Sequence, residues 1–121
     1  MNNSFIFDTY AILEIIGGND SYKNYLESNI IINSFIFAEL CYKLLRENVK
    51  NAEDYIRKYS QFIYDINSET IKEAMEFRIK NKKRNMSMTD CISYIMSKKL
   101  NIKFLTGDKE FENLDNVEYI K

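Results

Sequence analysis

Phe5-Ile6-Phe7-Asp8-Thr9-Tyr10-Ala11-Ile12-Leu13-Glu14-Ile15-Ile16-Gly17-Gly18 decides how this chain is read. The run from Asn3 to Phe7 is rich in aromatic and β-branched residues and reads as a short strand. Thr9 to Ile16 has helical character and meets Gly17-Gly18 as a helix meets its C-cap. Strand, turn and helix follow one another, with Asp8 at the junction. An ionised carboxylate beside core-forming segments must be hydrogen-bonded, paired with a cation or bound to a metal, or else take up a proton.

Working outward, Ser21 to Glu27 reads as a second short helix and Ile30-Ile31-Ile32 as a strand. Ser34 is the expected N-cap of a helix with Phe37, Leu40, Cys41, Leu44 and Leu45 on its apolar stripe. A following helix carries Ala52, Tyr55, Ile56, Tyr59 and Phe62, and a strand is expected near Ile63 to Ile66. Ser68 caps the next helix, which ends in the basic stretch Lys80-Asn81-Lys82-Lys83-Arg84. Ser87 opens a helix with Met88, Cys91, Ile92, Ile95, Met96 and Leu100 on its apolar face and Asp90, Ser93 and Ser97 on another. Ile102 to Leu105 is a further strand, Lys109 to Leu114 a turn or short helix, and Val117 to Ile120 the last strand. Short apolar strands alternating with amphipathic helices predict an α/β fold: a three-layer α/β/α sandwich with a mainly parallel central sheet.

The 121 residues suit one domain, 1–121, with formal charge −1 and 29% charged residues. Attraction to nucleic acid would therefore need a local basic patch rather than net charge. The two cysteines, Cys41 and Cys91, sit in helical apolar patterns and read as buried reduced thiols. No signal-peptide pattern opens the sequence and no apolar run approaches ~20 residues, so a soluble, cytoplasmic protein away from the membrane is expected. The chain contains no histidine, which removes Ser-His-Asp triads, Cys-His pairs and His-ligated zinc. No Gly-rich phosphate loop is present either.

Four acidic residues stand at abrupt points: Asp8 and Asp108 after strands, Glu39 within one helix, Asp90 at the start of another. Ligand sites of open α/β sheets lie beyond the carboxyl ends of strands, which is where Asp8 and Asp108 fall. Each residue also has a local explanation. Asp8 and Asp108 could cap the helices that follow them. Glu39 could pair with Lys43 at i,i+4. Ser87-Met88-Thr89-Asp90 matches a capping box.

The residues around these positions resemble the motifs of the PIN-domain nucleases and, within them, the VapC-type toxins of type II toxin–antitoxin pairs. Phe7-Asp8-Thr9-Tyr10-Ala11-Ile12-Leu13 resembles the first motif and Ser34-Phe35-Ile36-Phe37-Ala38-Glu39-Leu40 the second. Ser87-Met88-Thr89-Asp90 and its helix resemble the third. Phe104-Leu105-Thr106-Gly107-Asp108-Lys109-Glu110-Phe111 resembles the fourth, departing mainly at Gly107, a turn position where variation is unsurprising. Together the four motifs span nearly the whole chain.

The resemblance implies that Asp8, Glu39, Asp90 and Asp108 bind Mg²⁺ or Mn²⁺, with Thr106 as an accessory hydroxyl among the catalytic residues. Hard divalent cations prefer oxygen ligands, and converging carboxylates repel one another without one. The implied activity is that of a metal-dependent endoribonuclease, in which metal-activated water hydrolyses an RNA phosphodiester. The implied partners are RNA, a second copy in a homodimer formed through helices of the first half, and a cognate antitoxin. Lys43, Arg46, Lys82, Lys83 and Arg84 are candidate RNA-binding cations, set against the preference of any helix C-terminus for basic residues. Ser93 and Ser97 would leave room beside Asp90 for a polynucleotide, while Glu112 and Asp115 read as solvated surface charge. A stand-alone RNA-processing nuclease and a non-catalytic binding module of the same fold are the alternatives. A phosphoacceptor receiver domain fits poorly, because Asp8 is followed by Thr9 and a middle strand would offer only Asp65.

Overall fold

The computed structural model describes residues 3–121. Its first unit is the predicted one: strand β1 (Ser4–Phe7) runs directly into helix α1 (Thr9–Ile16). Gly17 ends the helix and Gly18 follows at a φ of 82°, a left-handed conformation that glycine adopts without steric penalty. A 3₁₀ turn over Asp20–Tyr25, capped by Asn19, leads to strand β2 (Asn29–Ile31). Helices α2 (Ser34–Arg46), α3 (Ala52–Tyr59), α4 (Ser68–Lys80) and α5 (Met88–Leu100) come next, then strand β3 (Lys103–Thr106), a 3₁₀ turn over Lys109–Phe111 and strand β4 (Val117–Tyr119).

The four strands form one parallel sheet in the order β2-β1-β3-β4. Ile6 lies opposite Ile31 on one side and Phe104 on the other, and Phe104 lies opposite Val117. Parallel strands need crossover connections, and the helices that supply them cover the sheet, giving the expected three-layer α/β/α arrangement. Ile6, Phe7, Phe104 and Leu105 are fully buried at its centre. Rings of Phe77, Tyr94, Phe104 and Phe111 pack at centroid distances of 5.1–6.4 Å, tying α4, α5, β3 and the turn after β3 into one cluster. Among the described residues no helix is long and apolar enough to cross a membrane.

Several local expectations are corrected. The caps of α2 and α4 are Asn33 and Asn67, one residue before Ser34 and Ser68; their side chains accept from the N–H groups of Ile36 and Thr70 at 2.8 Å. Asparagine and serine cap almost equally well, so adjacent Asn-Ser pairs leave the boundary ambiguous by one position. The buried seam of α2 is Ile36, Leu40 and Leu44, whereas Leu45 is 52% exposed. No strand forms at Ile63 to Ile66; Ile63 makes one isolated parallel bridge with Ile32.

Helix α5 departs furthest from its expected orientation. Ser93 and Ser97 are fully buried and Met88 is 55% exposed, so the serine face is interior. α5 touches α2, α4, β1 and β3 at once. Small serines allow that close approach, with their hydroxyls satisfied inside: Ser93 accepts from Asn33 at 3.0 Å, and Ser97 donates to the Tyr94 carbonyl at 2.6 Å.

Candidate active site

At the carboxyl ends of β1 and β3 the chain leaves the sheet, and a cleft of about 300 Å³ opens there. Asp8, Glu39, Asp90 and Asp108 all line it, although they come from four separate elements. The four local explanations fare differently.

Asp8 occupies the N-cap position of α1 but its side chain makes no capping hydrogen bond. Instead its Oδ2 accepts the Thr106 hydroxyl at 2.6 Å, and its N–H donates to the Leu105 carbonyl at 3.0 Å. Thr106 in turn accepts the N–H of Asp108 at 3.0 Å, so one buried hydroxyl couples two of the four acids across adjacent strands. Asp108 does cap its turn, Oδ1 accepting from Glu110 at 3.0 Å. The Ser87/Asp90 capping box is formed, with the Ser87 N–H donating to Asp90 Oδ2 at 2.9 Å and the Asp90 N–H to Ser87 Oγ at 3.0 Å. Glu39 makes no ion pair with Lys43 among the described residues; both side chains line the cleft. Capping and site placement are therefore compatible: caps hold Asp90 and Asp108 at the cleft rather than away from it.

The cost of gathering these acids falls on Asp8, which is 4% exposed. Burial, and then the negative charge of Asp90, push its carboxyl up to about 7; the Thr106 hydrogen bond opposes the rise, and Glu39 and Asp108 add to it. The Asp90 carboxyl is also raised, chiefly by burial, against the hydrogen bond from the Ser87 backbone. Among the described residues Lys43 is the one cation in the cleft wall.

The donor set suits a hard divalent cation. Asp8, Asp90 and Asp108 each have one oxygen engaged by a protein donor, while the other makes no hydrogen bond among the described residues. Thr9, which also lines the cleft, has a buried hydroxyl oxygen with no partner. As they stand, no three acidic or cysteine side chains among the described residues are arranged to hold an ion.

Three features were not anticipated. Glu14 and Tyr10 join the cleft wall, six and two residues beyond Asp8; they are i,i+4 neighbours on α1, a helical spacing that could have identified Glu14. Gly107 is buried, and a Cβ built there would collide with the Ile120 carbonyl and the Tyr10 ring. The expectation that variation is unsurprising at Gly107 is thereby corrected, because its lack of a side chain is what lets the chain after β3 pass under Tyr10. The third is the interior position of Ser93 and Ser97, which removes them as a backbone-approach surface beside Asp90.

The candidate cations are dispersed. Lys43 faces the acidic cleft; Arg46 pairs with Glu47 at 3.0 Å and lies 5.0 Å from the Tyr42 ring centroid. Lys82 and Arg84 line a separate cleft, and Lys83 is exposed and lines neither. Glu112 is exposed, and Asp115 is engaged by Tyr94 and Lys98 away from the cleft. Of the cysteines, Cys91 is buried and Cys41 half-buried, both as free thiols.

The family model described as PIN domain matches residues 5–117. No curated protein matches in sequence. Among solved structures, Mycobacterium tuberculosis VapC20, described as a sarcin-ricin loop cleaving toxin, is similar at 15% identity and TM-score 0.77, covering 97% of this chain and 99% of that one. A toxin–antitoxin complex from Klebsiella pneumoniae is similar at 19% identity and TM-score 0.72, covering 94% and 95%. PAE2754 from Pyrobaculum aerophilum is similar at 15% identity and TM-score 0.71, covering 96% and 88%. At these identities the likeness is one of fold.

Proposed function

The chain belongs to the PIN domain family, and from that premise we propose that it is a metal-dependent endoribonuclease, the toxin member of a toxin–antitoxin pair, acting as a single domain over residues 1–121. Convergence of Asp8, Glu39, Asp90 and Asp108 on one cleft carries the proposal, because burial and three neighbouring acids leave Asp8 in need of a positive partner. Asp8, Glu39, Asp90 and Asp108 would hold Mg²⁺ or Mn²⁺. When bound, the ion supplies Lewis-acid polarisation of the phosphodiester and lowers the pKa of water at the site.

The chain's own residues set the geometry. Thr106 orients the Asp8 carboxylate and, through the Asp108 N–H, the start of the next turn. Ser87 and Glu110 N–H groups pin one oxygen each of Asp90 and Asp108, so the remaining oxygens meet a ligand with little loss of side-chain freedom. Lys43 in the wall offsets the repulsion between these acids and an approaching phosphate. With no histidine in the chain, proton transfer falls to carboxylates and water.

The toxin role draws on the structural neighbours, one described as a sarcin-ricin loop cleaving toxin and another as a toxin–antitoxin complex. A homodimer and a cognate antitoxin are the assemblies it implies. The test is cleavage of a mixed RNA substrate with Mn²⁺, Mg²⁺ or EDTA, using Asp8→Asn and Asp90→Asn variants verified as folded. Metal-dependent cutting lost in both variants supports the nuclease. Wild-type protein that cuts no RNA with either metal would turn the assignment to a binding module. Growth arrest on expression, relieved by the product of a neighbouring gene, tests the toxin role separately.

A further inference from the structure

A second cleft, of about 480 Å³, lies between α4 and the loop joining it to α5. We propose that it is a nucleotide subsite, which grips a phosphate of single-stranded RNA flanking the scissile bond and receives the adjoining base on an apolar floor; this rests on the endoribonuclease reading above.

The lining has two parts. Arg78, Lys82 and Arg84 supply three cations, and among the described residues no carboxylate lines the cleft. Arg78 donates from Nε to the Met86 carbonyl at 3.2 Å and Arg84 from Nη1 to the Glu110 carbonyl at 2.7 Å. Both partners are uncharged, and among the described residues none of the three cations is in an ion pair. Each guanidinium has used one of its five donors on the protein and is held in place by it. The second part is apolar: Met75, Ile79 and Met86, with Ile79 71% exposed. A preference for basic residues at the C-terminus of α4 accounts for cations alone; it gives no reason for an uncovered isoleucine among them. Fixed cations beside an open apolar surface match an anion with a flat apolar body, which is the chemistry of a nucleotide. The Asn85 side chain offers both a donor and an acceptor to a base edge.

The position of the cleft selects RNA over an acidic protein segment. Residues 84–87 form a wall shared with the acidic cleft: Arg84, Asn85 and Met86 line one side, and Ser87 lines the other. Arg84 is linked to Asp108 through Glu110, whose carbonyl accepts from Arg84 and whose N–H donates to Asp108. An acidic peptide could use the same cations, but it gives no reason for the cationic cleft to adjoin the acidic one. An RNA strand with its scissile phosphate at the acidic cleft continues over the wall into the cationic one.

The experiment measures fluorescence anisotropy of labelled single-stranded RNA oligonucleotides of increasing length with Mg²⁺, in the Asp90→Asn background so that the chain stays intact. Lys82→Gln and Ile79→Ser are added singly, since both residues are exposed and their thermal midpoints report whether the fold is kept. Affinity is expected to rise as the oligonucleotide becomes long enough to reach both clefts. Each substitution should lower long-oligonucleotide affinity by roughly three- to tenfold, in keeping with about 1 kcal/mol for a phosphate or stacking contact. Lys82→Gln alone should also reduce the salt slope by about 0.7. Unchanged affinity and slope in both variants, while wild-type protein cleaves RNA, overturns the subsite and leaves the nuclease standing. Wild-type protein that neither binds nor cleaves RNA overturns both. Binding of poly-glutamate that needs Lys82, with RNA binding indifferent to it, assigns the cleft to an acidic protein instead.

Discussion

The two clefts on either side of residues 84–87 are built from opposite charges and respond differently to having no ligand. In the acidic cleft Asp8, Glu39, Asp90 and Asp108, with Glu14 in the wall, share the space with one lysine among the described residues, and Asp8, the most buried, has its carboxyl pushed up to about 7. In the other cleft three cations point into the open, and none of them is buried. Like charges cost little where water screens them and much where it is excluded. Stability of the empty protein should therefore depend on the acidic cleft and hardly at all on the cationic one, while both contribute to holding a polyanion.

The sharpest way to break this contrast is Asp8→Asn. Cleavage is expected to fall by about a hundred- to a thousandfold, the scale of losing a group that stabilises transition-state charge. Metal-free stability at pH 8 should instead rise, by about 1 kcal/mol or more, since a one-unit shift corresponds to about 1.4 kcal/mol. Urea unfolding in EDTA measures the second effect; a variant less stable than wild type at pH 8 would mean that the ionised carboxylate is well compensated without metal.

Next in size is Gly107→Ala, which forces a methyl against the Ile120 carbonyl and the Tyr10 ring. A loss of about 1–3 kcal/mol in chemical denaturation is expected, as for overpacked cores. Nuclease activity should fall with it, because Tyr10 lines the acidic cleft. A variant as stable and active as wild type would show that the ring moves aside freely.

The pH dependence follows from the direction of the Asp8 shift. Its ordinary value is 3.8 and its folded value about 7, so between these the folded chain holds a proton that the unfolded chain has released. Proton binding then favours the folded state, and the stability of metal-free protein falls as pH rises from about 4 to 7. Asp90, also raised, acts in the same sense. Thermal midpoints in EDTA should decline across this window, the decline should be shallower in Asp8→Asn, and Mn²⁺ should raise the midpoint more at pH 8 than at pH 5. Equal stabilisation by Mn²⁺ at both values would remove the coupling between Asp8 and metal.

The smallest expected effect on stability is that of Lys82→Gln, within about 0.5 kcal/mol, as for surface positions without buried partners. A larger change in the thermal midpoint would show that the cationic cleft carries structural strain after all.

Legibility varied with how local the deciding interaction was. β1, α1 and the Gly17-Gly18 stop depend on neighbours in the chain, and the capping box at Ser87 and Asp90 spans a few residues; both were readable. Asn33 against Ser34 was not, because two adjacent residues cap equally well and the choice lies in where β2 delivers the chain. For α5 the periodicity was misleading. A helix packed on several sides buries small polar residues along with large apolar ones, so Ser93 and Ser97 went inside and Met88 out. Gly107 looked permissive because nothing adjacent in sequence constrains it; the atoms that do belong to Tyr10 and Ile120.

The linear order of residues was sufficient for the alternation of strands and helices, for the absence of histidine chemistry and for placing four acids at element ends, since hydrophobic periodicity and capping act over a few residues. Whether those acids were four separate caps or one charged cleft depended on the parallel register that sets β1 beside β3 and on the packing of α2 and α5 over their ends. Burial and Coulomb repulsion act through space, and only folding sets the distances that bring Thr106 to Asp8 across 98 residues of chain.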